Sequence, residues 1–207
     1  MNHSVPINRS SKLVALDLPL DDTRGIWAMW MVVATEATLF ICFLGAYFYL
    51  ENNKDRWAYN HPPAEHWGWG MLAAILLSAL TIWLGDRAVM RRSYGHARAL
   101  LALTLLLGVG YLIMQGFDFA GHWATLTPYS NSYGSIFYVI ESFDALHAIV
   151  GVLILAYVLA LPHYAPARRA PYRPYRVAAI YWYFVATIWI AIFCLLYIIP
   201  NLRVYGF

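Results

Sequence analysis

The sequence predicts an all-α, polytopic membrane protein with five transmembrane helices, from its composition, the length of its apolar segments and the placement of its basic residues. Of its 207 residues, 61% are hydrophobic and 12% are charged, whereas soluble domains carry about 25% charged residues. The mean hydropathy is +0.54. A chain of this length and composition is expected to form one compact membrane unit rather than two domains.

Five apolar stretches are long enough to cross a bilayer, which takes about 20 residues with a range of about 17–25. Because backbone groups in lipid must be hydrogen-bonded within the segment, each stretch is predicted to be a helix. The predicted spans are residues 26–50, 67–85, 97–117, 133–161 and 176–200. They form a membrane domain over residues 26–200, flanked by an N-terminal tail (1–25) and a C-terminal tail (201–207).

The Lys and Arg residues indicate the orientation of the chain. Eleven of the 14 lie in the N-terminal tail and in the second and fourth connections between spans, and three lie on the opposite side. Cytoplasmic loops carry the excess of basic residues, so the N-terminus is predicted to be cytoplasmic and the C-terminus periplasmic. The net charge of +3 is modest and the arginines are not gathered in a patch, which argues against nucleic-acid binding.

The fourth predicted span carries three ionisable side chains, Glu141, Asp144 and His147. Their i, i+3, i+6 spacing rotates successive members by only about 60°, so all three are predicted to share one helix face. A charge near the bilayer centre costs about 2.5–3.5 kcal/mol even on the lenient insertion scale. The face is therefore predicted to point into protein, where partners, water or protons satisfy these groups.

Other polar residues also lie within the predicted spans. Glu36 falls close to the bilayer midplane, where a carboxyl is either hydrogen-bonded to a neighbouring helix or handles protons or contacts lipid. Gln115 and Asp118 are one turn apart near the outer end of the third span and fit either a polar helix interface or a functional site. Tyr183 belongs to an aromatic stretch of the fifth span, a pattern typical of packing.

A metal or haem site is disfavoured by the number of ligands within the spans. Asp144 and His147 are competent ligands, but the pair needs further ligands and Glu36 is the only obvious donor. The other histidines fall in predicted tails or connections, which excludes a bis-His haem site built by this chain alone. They are His3, His61, His66, His96, His122 and His163. The triplet is interpreted as a hydrogen-bonded carboxyl–imidazole cluster, and no catalytic, cofactor-binding or metal-binding residue is predicted.

Four blocks of sequence occur in an order typical of one family of membrane proteins. The blocks are TEATLFICFLGAYFYL, GVGYLIMQGFDF, TLTPYSNSYGSIFYVIESFDALHAIVG and YWYFVATIWIAIFCLLYII. In this order they resemble subunit III of the haem–copper terminal oxidases (cytochrome c oxidase and quinol oxidase), in the five-helix bacterial form. By this match Glu36 is the family's membrane-embedded glutamate, and His147 is the second His of a Gly-Phe-His-Gly-x-His motif. Gln115 and Asp118 match a Gln–acid pair, with Asp where Glu is usual.

The chain departs from the family pattern at polar positions of its last two spans. Asp144 stands where the family usually has the first His, and Glu141 with Ser142 replaces a Thr-Gly pair. Tyr183 and Ala186 replace a His and an Asp of the closing helix. These changes predict a divergent member, in which the two added carboxyls replace hydrogen bonding lost between helices 4 and 5 or meet a partner subunit.

The resemblance implies a non-catalytic subunit that packs on oxidase subunit I, in a complex where subunits I and II carry the haem, the copper and the redox chemistry. It also implies phospholipid held in a cleft between helices 1–2 and helices 3–5. It implies support of sustained turnover and of proton uptake during oxygen reduction, and a location in the bacterial inner membrane.

Two other interpretations fit parts of the pattern. A subunit-III-like accessory protein of a nitric oxide reductase would explain the departures. A small proton-coupled transporter would also place carboxyls at the midplane. It would, however, be expected to show repeats or Gly/Pro-broken helices, and no proline lies in the middle of a predicted span.

Overall fold

The computed structural model describes residues 24–53, 65–123, 126–161 and 172–200. All five helices found there are long and apolar enough to cross a membrane, which confirms the predicted all-helical class with five spans. They are α1 (Arg24–Asn53), α2 (Glu65–Met90), α3 (Tyr94–His122), α4 (Ser132–Ala160) and α5 (Tyr172–Phe193). α5 continues as a π-helical segment, Cys194–Ile198. Residues 1–23 and 201–207, which hold the predicted tails except for residues 24 and 25, lie outside the described residues, and α1 already begins at Arg24.

α2, α3, α4 and α5 form a four-helix ring, and α1 lies in the outer groove between α4 and α5. Around the ring, α2 packs along α3, α3 along α4, α4 along α5 and α5 along α2. In α5, 61% of the apolar stretch is buried, against 11% in α1. α5 is therefore the core helix of the bundle, and α1 is its most peripheral helix.

Trp182 of α5 is fully buried at the contact of all four ring helices. Its indole Nε1 donates a hydrogen bond of 2.9 Å to Ser78 Oγ on α2. Its ring faces Gly108 on α3 and Gly151 on α4, where an added Cβ would lie 2.7 and 2.8 Å from a ring carbon. The two glycines thus let α3 and α4 approach the indole closely, as small residues do in membrane helix packing.

The contact between α2 and α3 is the most extensive between any two helices of the bundle. A turn of three residues, 91–93, joins the two helices, and such short connections make antiparallel neighbours. Thr81 Oγ1 lies 2.8 Å from Thr104 Oγ1 across the contact. The prediction of a cleft between helices 1–2 and helices 3–5 is therefore wrong for the described residues. α2 belongs to the ring, whereas α1 packs on α4 and α5.

Replacing Gly108 with Ala is expected to lower the free energy of unfolding by about 1–3 kcal/mol, because the added methyl group overpacks against Trp182. Gly110→Ala is the matched control on the same helix, since a Cβ there meets nothing within 4 Å. The control is expected to be neutral or to stabilise by about 0.5–1 kcal/mol. Reversible unfolding in mixed micelles, followed by circular dichroism, measures both changes. Equal stabilities would contradict the packing role assigned to Gly108.

Candidate functional site

The three ionisable side chains of α4 divide between two neighbouring helices. Glu141 and Asp144 are buried and meet Gln115 of α3. His147 instead meets Glu36 of α1. The prediction of one shared face is therefore wrong for His147. Two steps of about 60° accumulate to about 120°, which is wide enough for the ends of the triplet to reach different helices.

A set of buried polar side chains, which we call the carboxyl cluster, connects α3, α4 and the π-helical segment. Its members are Tyr111, Gln115, Asp118, Glu141, Asp144 and Tyr197. Gln115 Nε2 donates to Glu141 Oε2 and to Asp144 Oδ2, both at 3.2 Å. The hydroxyl of Tyr111 donates to the same Asp144 oxygen at 2.5 Å. Both carboxyls of α4 are thus held by hydrogen-bond donors of α3.

The α3 members of the cluster lie on one helical stripe. Tyr111, Gln115, Asp118 and His122 follow the spacing i, i+4, i+7, i+11, which keeps residues on a single helix face, and all four are buried. Only Gln115 and Asp118 of this stripe are conspicuous in the sequence, as polar residues within the predicted span. The same spacing, extended by one turn in each direction, would have identified Tyr111 and His122.

Tyr197 brings the last span into the cluster. Its hydroxyl donates to Asp118 Oδ2 at 2.7 Å and lies 3.3 Å from Glu141 Oε1. Tyr197 therefore joins an acid of α3 to an acid of α4. The sequence does not distinguish Tyr197 from the other aromatic residues of the closing span, because an aromatic side chain in an apolar stretch is typical of packing.

Tyr197 lies in the π-helical segment Cys194–Ile198, in which residues 195–197 are buried. Tyr133 of α4 donates a hydrogen bond of 3.3 Å to the carbonyl of Leu196, so a side chain of α4 satisfies a backbone group of the widened turn. π-Helical turns within α-helices are frequent at functional sites.

His122 closes the cluster at the end of α3. It is buried, and its Nδ1 lies 2.9 Å from the Asp118 carbonyl oxygen and 3.2 Å from Asp118 Oδ2. The prediction that His66, His96 and His122 lie in connections is wrong, because α2 begins at Glu65 and α3 runs from Tyr94 to His122. The helix extends past its apolar stretch because Asp118 and His122 satisfy each other one turn apart.

Four buried polar atoms at the cluster have no hydrogen-bond partner within the described ranges. They are Gln115 Oε1, Asp118 Oδ1, Asp144 Oδ1 and Trp189 Nε1. Trp189 packs edge-on against Tyr111, with the ring centroids 5.2 Å apart, so its indole borders the cluster. An unsatisfied buried polar group costs about 1–3 kcal/mol. Internal water, or the proton of a neutral carboxyl, is what satisfies such atoms in a protein core.

Glu36 and His147 form a second polar site between α1 and α4. His147 Nε2 lies 3.0 Å from Glu36 Oε2, and His147 Nδ1 lies 2.6 Å from the Phe143 carbonyl oxygen. The imidazole also packs against the ring of Phe40, with centroids 5.0 Å apart. Side-chain exposure is 34% for Glu36 and 12% for His147. The pair therefore lies at the outer surface of the bundle.

A groove between α3 and α4 opens beside the carboxyl cluster. Its volume is about 460 Å³. Gln115 lies in its wall, and the rest of the wall is apolar. Leu112, Phe119, Trp123, Ala145 and Ile149 are among the apolar residues that line it. The groove thus combines an apolar surface with one amide group.

The potential ligands of the spans do not assemble into a metal centre in the part of the chain that the structure describes. No group of three or more His, Cys, Asp or Glu side chains is arranged there to hold a metal ion. Cys42 and Cys194 are free and exposed. The buried polar side chains of α3, α4 and the π-helical segment hydrogen-bond to one another instead.

The sequence profile of the family described as cytochrome c oxidase subunit III matches residues 22–200, the range that contains all five helices. The chain belongs to the cytochrome c oxidase subunit III family. Cytochrome c oxidase is a terminal oxidase of the respiratory chain, and a subunit III protein is one of its transmembrane components.

Curated relatives of this subunit III protein are 26% to 30% identical to it over the aligned residues. Cytochrome c oxidase subunit 3 of Artemia franciscana is 26% identical over 177 residues, covering 83% of this chain and 67% of the relative. A probable cytochrome c oxidase subunit 3 of Mycobacterium leprae (strain TN) is 29% identical over 128 residues, covering 60% of this chain and 62% of the relative. The Cyprinus carpio protein is 30% identical over 125 residues, covering 60% of this chain and 47% of the relative. The chain is therefore a divergent member that spans about half to two thirds of these relatives' length.

The added carboxyls of this subunit III protein do not compensate for Tyr183 and Ala186. Glu141 and Asp144 bond to α3 and to Tyr197, whereas Tyr183 is half-buried and its carbonyl accepts a bond of 2.8 Å from Thr187 Oγ1. About 14 residues of helix, or about 21 Å of rise, separate Tyr183 from Tyr197. The hydrogen bond between the fourth and the last span is therefore made at Tyr197 rather than at Tyr183 or Ala186, and Tyr183 belongs to neither polar site.

Replacing Tyr197 with Phe is expected to lower the free energy of unfolding of the subunit by about 1–2 kcal/mol, because Asp118 and Glu141 lose a shared hydrogen-bond donor inside the membrane. Tyr157→Phe is the matched control, since Tyr157 lies on the exposed surface of α4. Unfolding in mixed micelles measures both free energies. A Tyr197→Phe variant as stable as the control would show that the hydroxyl contributes nothing to the fold.

Proposed function

We propose that the chain is a non-catalytic accessory subunit of a respiratory haem–copper oxidase. In this proposal it packs on subunit I, assembles with subunit II, and leaves the haem, the copper and the reduction of oxygen to those partners. The family match over residues 22–200 carries the proposal. The carboxyl cluster supports it, because its acids are bonded to Tyr and Gln side chains of neighbouring helices and thereby hold the bundle together.

We further propose that the subunit lies in a bacterial inner membrane with its N-terminus in the cytoplasm and its C-terminus in the periplasm. Eleven of the 14 Lys and Arg residues fall on the side assigned to the cytoplasm, which supports this orientation. The mycobacterial relative supports a bacterial membrane.

Two finer roles complete the proposal. The groove of about 460 Å³ between α3 and α4 supports binding of a phospholipid acyl chain, because its wall is apolar except for Gln115. The Glu36–His147 pair supports a role in proton uptake and in stability during turnover, because it places a carboxyl and an imidazole at the lipid boundary of the bundle. Membrane-embedded ionisable groups of this kind are commonly functional.

Purification of the tagged chain in mild detergent tests the assignment. Haem absorbance and a co-purifying multi-helix subunit of an oxygen-reducing complex are the expected result. If the co-purifying haem complex reduces nitric oxide and not oxygen, the chain is instead an accessory protein of a nitric oxide reductase. A colourless chain with proton-coupled transport after reconstitution would overturn the proposal in favour of a transporter.

Replacing Glu36 with Ala is expected to leave the first turnovers of the purified oxidase unchanged and to shorten its working life several-fold. Loss of the bond to His147 loosens α1, which has the least buried surface of the five helices. Glu36→Gln separates loss of charge from loss of the hydrogen bond, and Thr38→Ala is the control at an exposed α1 position. Oxygen consumption followed to exhaustion of activity, with haem content measured on the same sample, gives both quantities. Immediate loss of haem would contradict a supporting role.

A further inference from the structure

The turn between α2 and α3 is closed by its own backbone. Ser93 N donates to the Ala88 carbonyl and Arg92 N donates to the Val89 carbonyl, both at 2.9 Å, which is the Schellman pattern found at many helix ends. Arg92 has a φ of 58°, in the left-handed region where glycine is usual. The turn therefore has a defined geometry, and α3 begins directly beside the end of α2.

The first turn of α3 lacks a side-chain cap within the described residues. Ser93 occupies the N-cap position, but its hydroxyl makes no capping hydrogen bond and lies instead 2.8 Å from His96 Nδ1. The first N–H groups of a helix have no partner inside the helix and form the positive end of the helix dipole. An anion beside Ser93 would accept hydrogen bonds from these groups.

Basic side chains converge on a pocket at the same turn. The pocket has a volume of about 300 Å³ and is lined by Leu84, Arg87, Ala88, Arg91, Ser93 and His96. Three of these six residues can carry a positive charge and none is acidic. The volume is about ten times that of one water in the liquid, about 30 Å³, so the pocket has room for a phosphodiester group.

Neighbouring residues favour an anion from outside the chain over an internal partner. The guanidinium of Arg87 lies over the ring of Trp83, 3.7 Å from the centroid, a cation–π contact that orients the side chain at the pocket. Asp86 is the acid next in sequence, and it is engaged by Arg176 at 3.2 Å. Arg87 and Arg91 therefore bring two positive charges to the pocket beside the first turn of α3, and the contact with Trp83 orients the first of them.

The pocket lies where two spanning helices meet the membrane surface, because α2 ends and α3 begins there. Leu84 is both part of its wall and exposed, and Trp83 and Met90 are exposed beside it. Apolar surface thus continues from the basic pocket toward the bilayer interior. A ligand with a phosphate at one end and acyl chains at the other matches this arrangement of charge and apolar surface.

We infer that this pocket, defined by Arg87, Arg91, Ser93 and His96, binds the phosphate group of an anionic phospholipid. The inference deepens the proposed lipid role and rests on it, but it concerns a different place from the apolar groove between α3 and α4. Free phosphate shares the chemistry of the headgroup. The lipid is the favoured source because the apolar wall serves only a ligand that carries acyl chains.

The double variant Arg87→Gln/Arg91→Gln tests the site in the intact, purified complex. Each basic residue that faces an anionic lipid contributes about fivefold to affinity, so the double variant is expected to bind about 25-fold more weakly. Arg92→Gln is the matched control, because Arg92 belongs to the same turn but does not line the pocket. Arg87→Lys/Arg91→Lys keeps the charge and is expected to retain most of the binding.

The complexes are incorporated into nanodiscs of phosphatidylcholine with and without phosphatidylglycerol, and native mass spectrometry counts the lipids that remain bound after partial delipidation. The expected result is one more phosphatidylglycerol on the wild type, the Lys variant and the Arg92→Gln control than on the double Gln variant. Equal retention by all variants, or equal loss in the double variant and in the Arg92→Gln control, would overturn the site. Displacement of phosphatidylglycerol by inorganic phosphate at equal concentration would overturn the lipid as the ligand.

Haem content measured on the same samples separates this inference from the proposed function. Retention of phosphatidylglycerol by a chain that carries no haem-containing partner would remove the oxidase role and leave the lipid site standing. A complex with full haem content, in which all variants retain the same amount of phosphatidylglycerol, would remove the lipid site and leave the oxidase role standing.

Discussion

Two carboxyl groups in the middle of a membrane helix need hydrogen-bond donors from other helices, and this need determines how α3, α4 and α5 face one another. Glu141 and Asp144 cannot hydrogen-bond to each other when both are ionised, because a carboxylate has acceptors and no donor. Gln115 and Tyr111 supply donors from α3, and Tyr197 supplies one from the π-helical segment. Rotation of any of the three helices would leave a buried carboxyl without a partner, which is among the costliest errors in a membrane core.

Apolar packing fixes the same arrangement independently. Trp182 bonds to Ser78 on α2 and fills the space left by Gly108 and Gly151 on α3 and α4, so one side chain of α5 contacts every other helix of the ring. Lipid offers little hydrophobic drive for helix association, and close contact at small residues replaces it. The hydrogen bonds of the carboxyl cluster and the packing around Trp182 require the same rotations of the helices about their axes. Agreement between such independent interactions specifies a single fold.

Polar chemistry in the bundle is segregated along its length. The acids gather at the end of α3 with Tyr197 and His122, while the basic pocket lies at the other end, where α3 begins. The Glu36–His147 pair lies at the outer surface of the bundle, between α1 and α4. The carboxyl cluster joins α3, α4 and the π-helical segment, whereas the basic pocket belongs to α2 and α3 alone. Glu141 and Asp144 are internal to the bundle, where both bond to side chains of α3.

The sequence by itself determined the class of the protein, because the length and apolarity of a segment decide whether it crosses a membrane, and both are local properties. It also identified Glu36, Gln115, Asp118, Glu141, Asp144 and His147, since an ionisable or amide side chain in an apolar stretch is conspicuous without any structure. Only the tertiary structure decided which helix each of these groups meets. His147 meets Glu36 of α1, α2 joins the ring rather than pairing with α1, and Tyr197 meets acids of α3 and α4. The helical period gives the direction of a side chain but not the neighbour that it meets, because that depends on how the other helices pack around it.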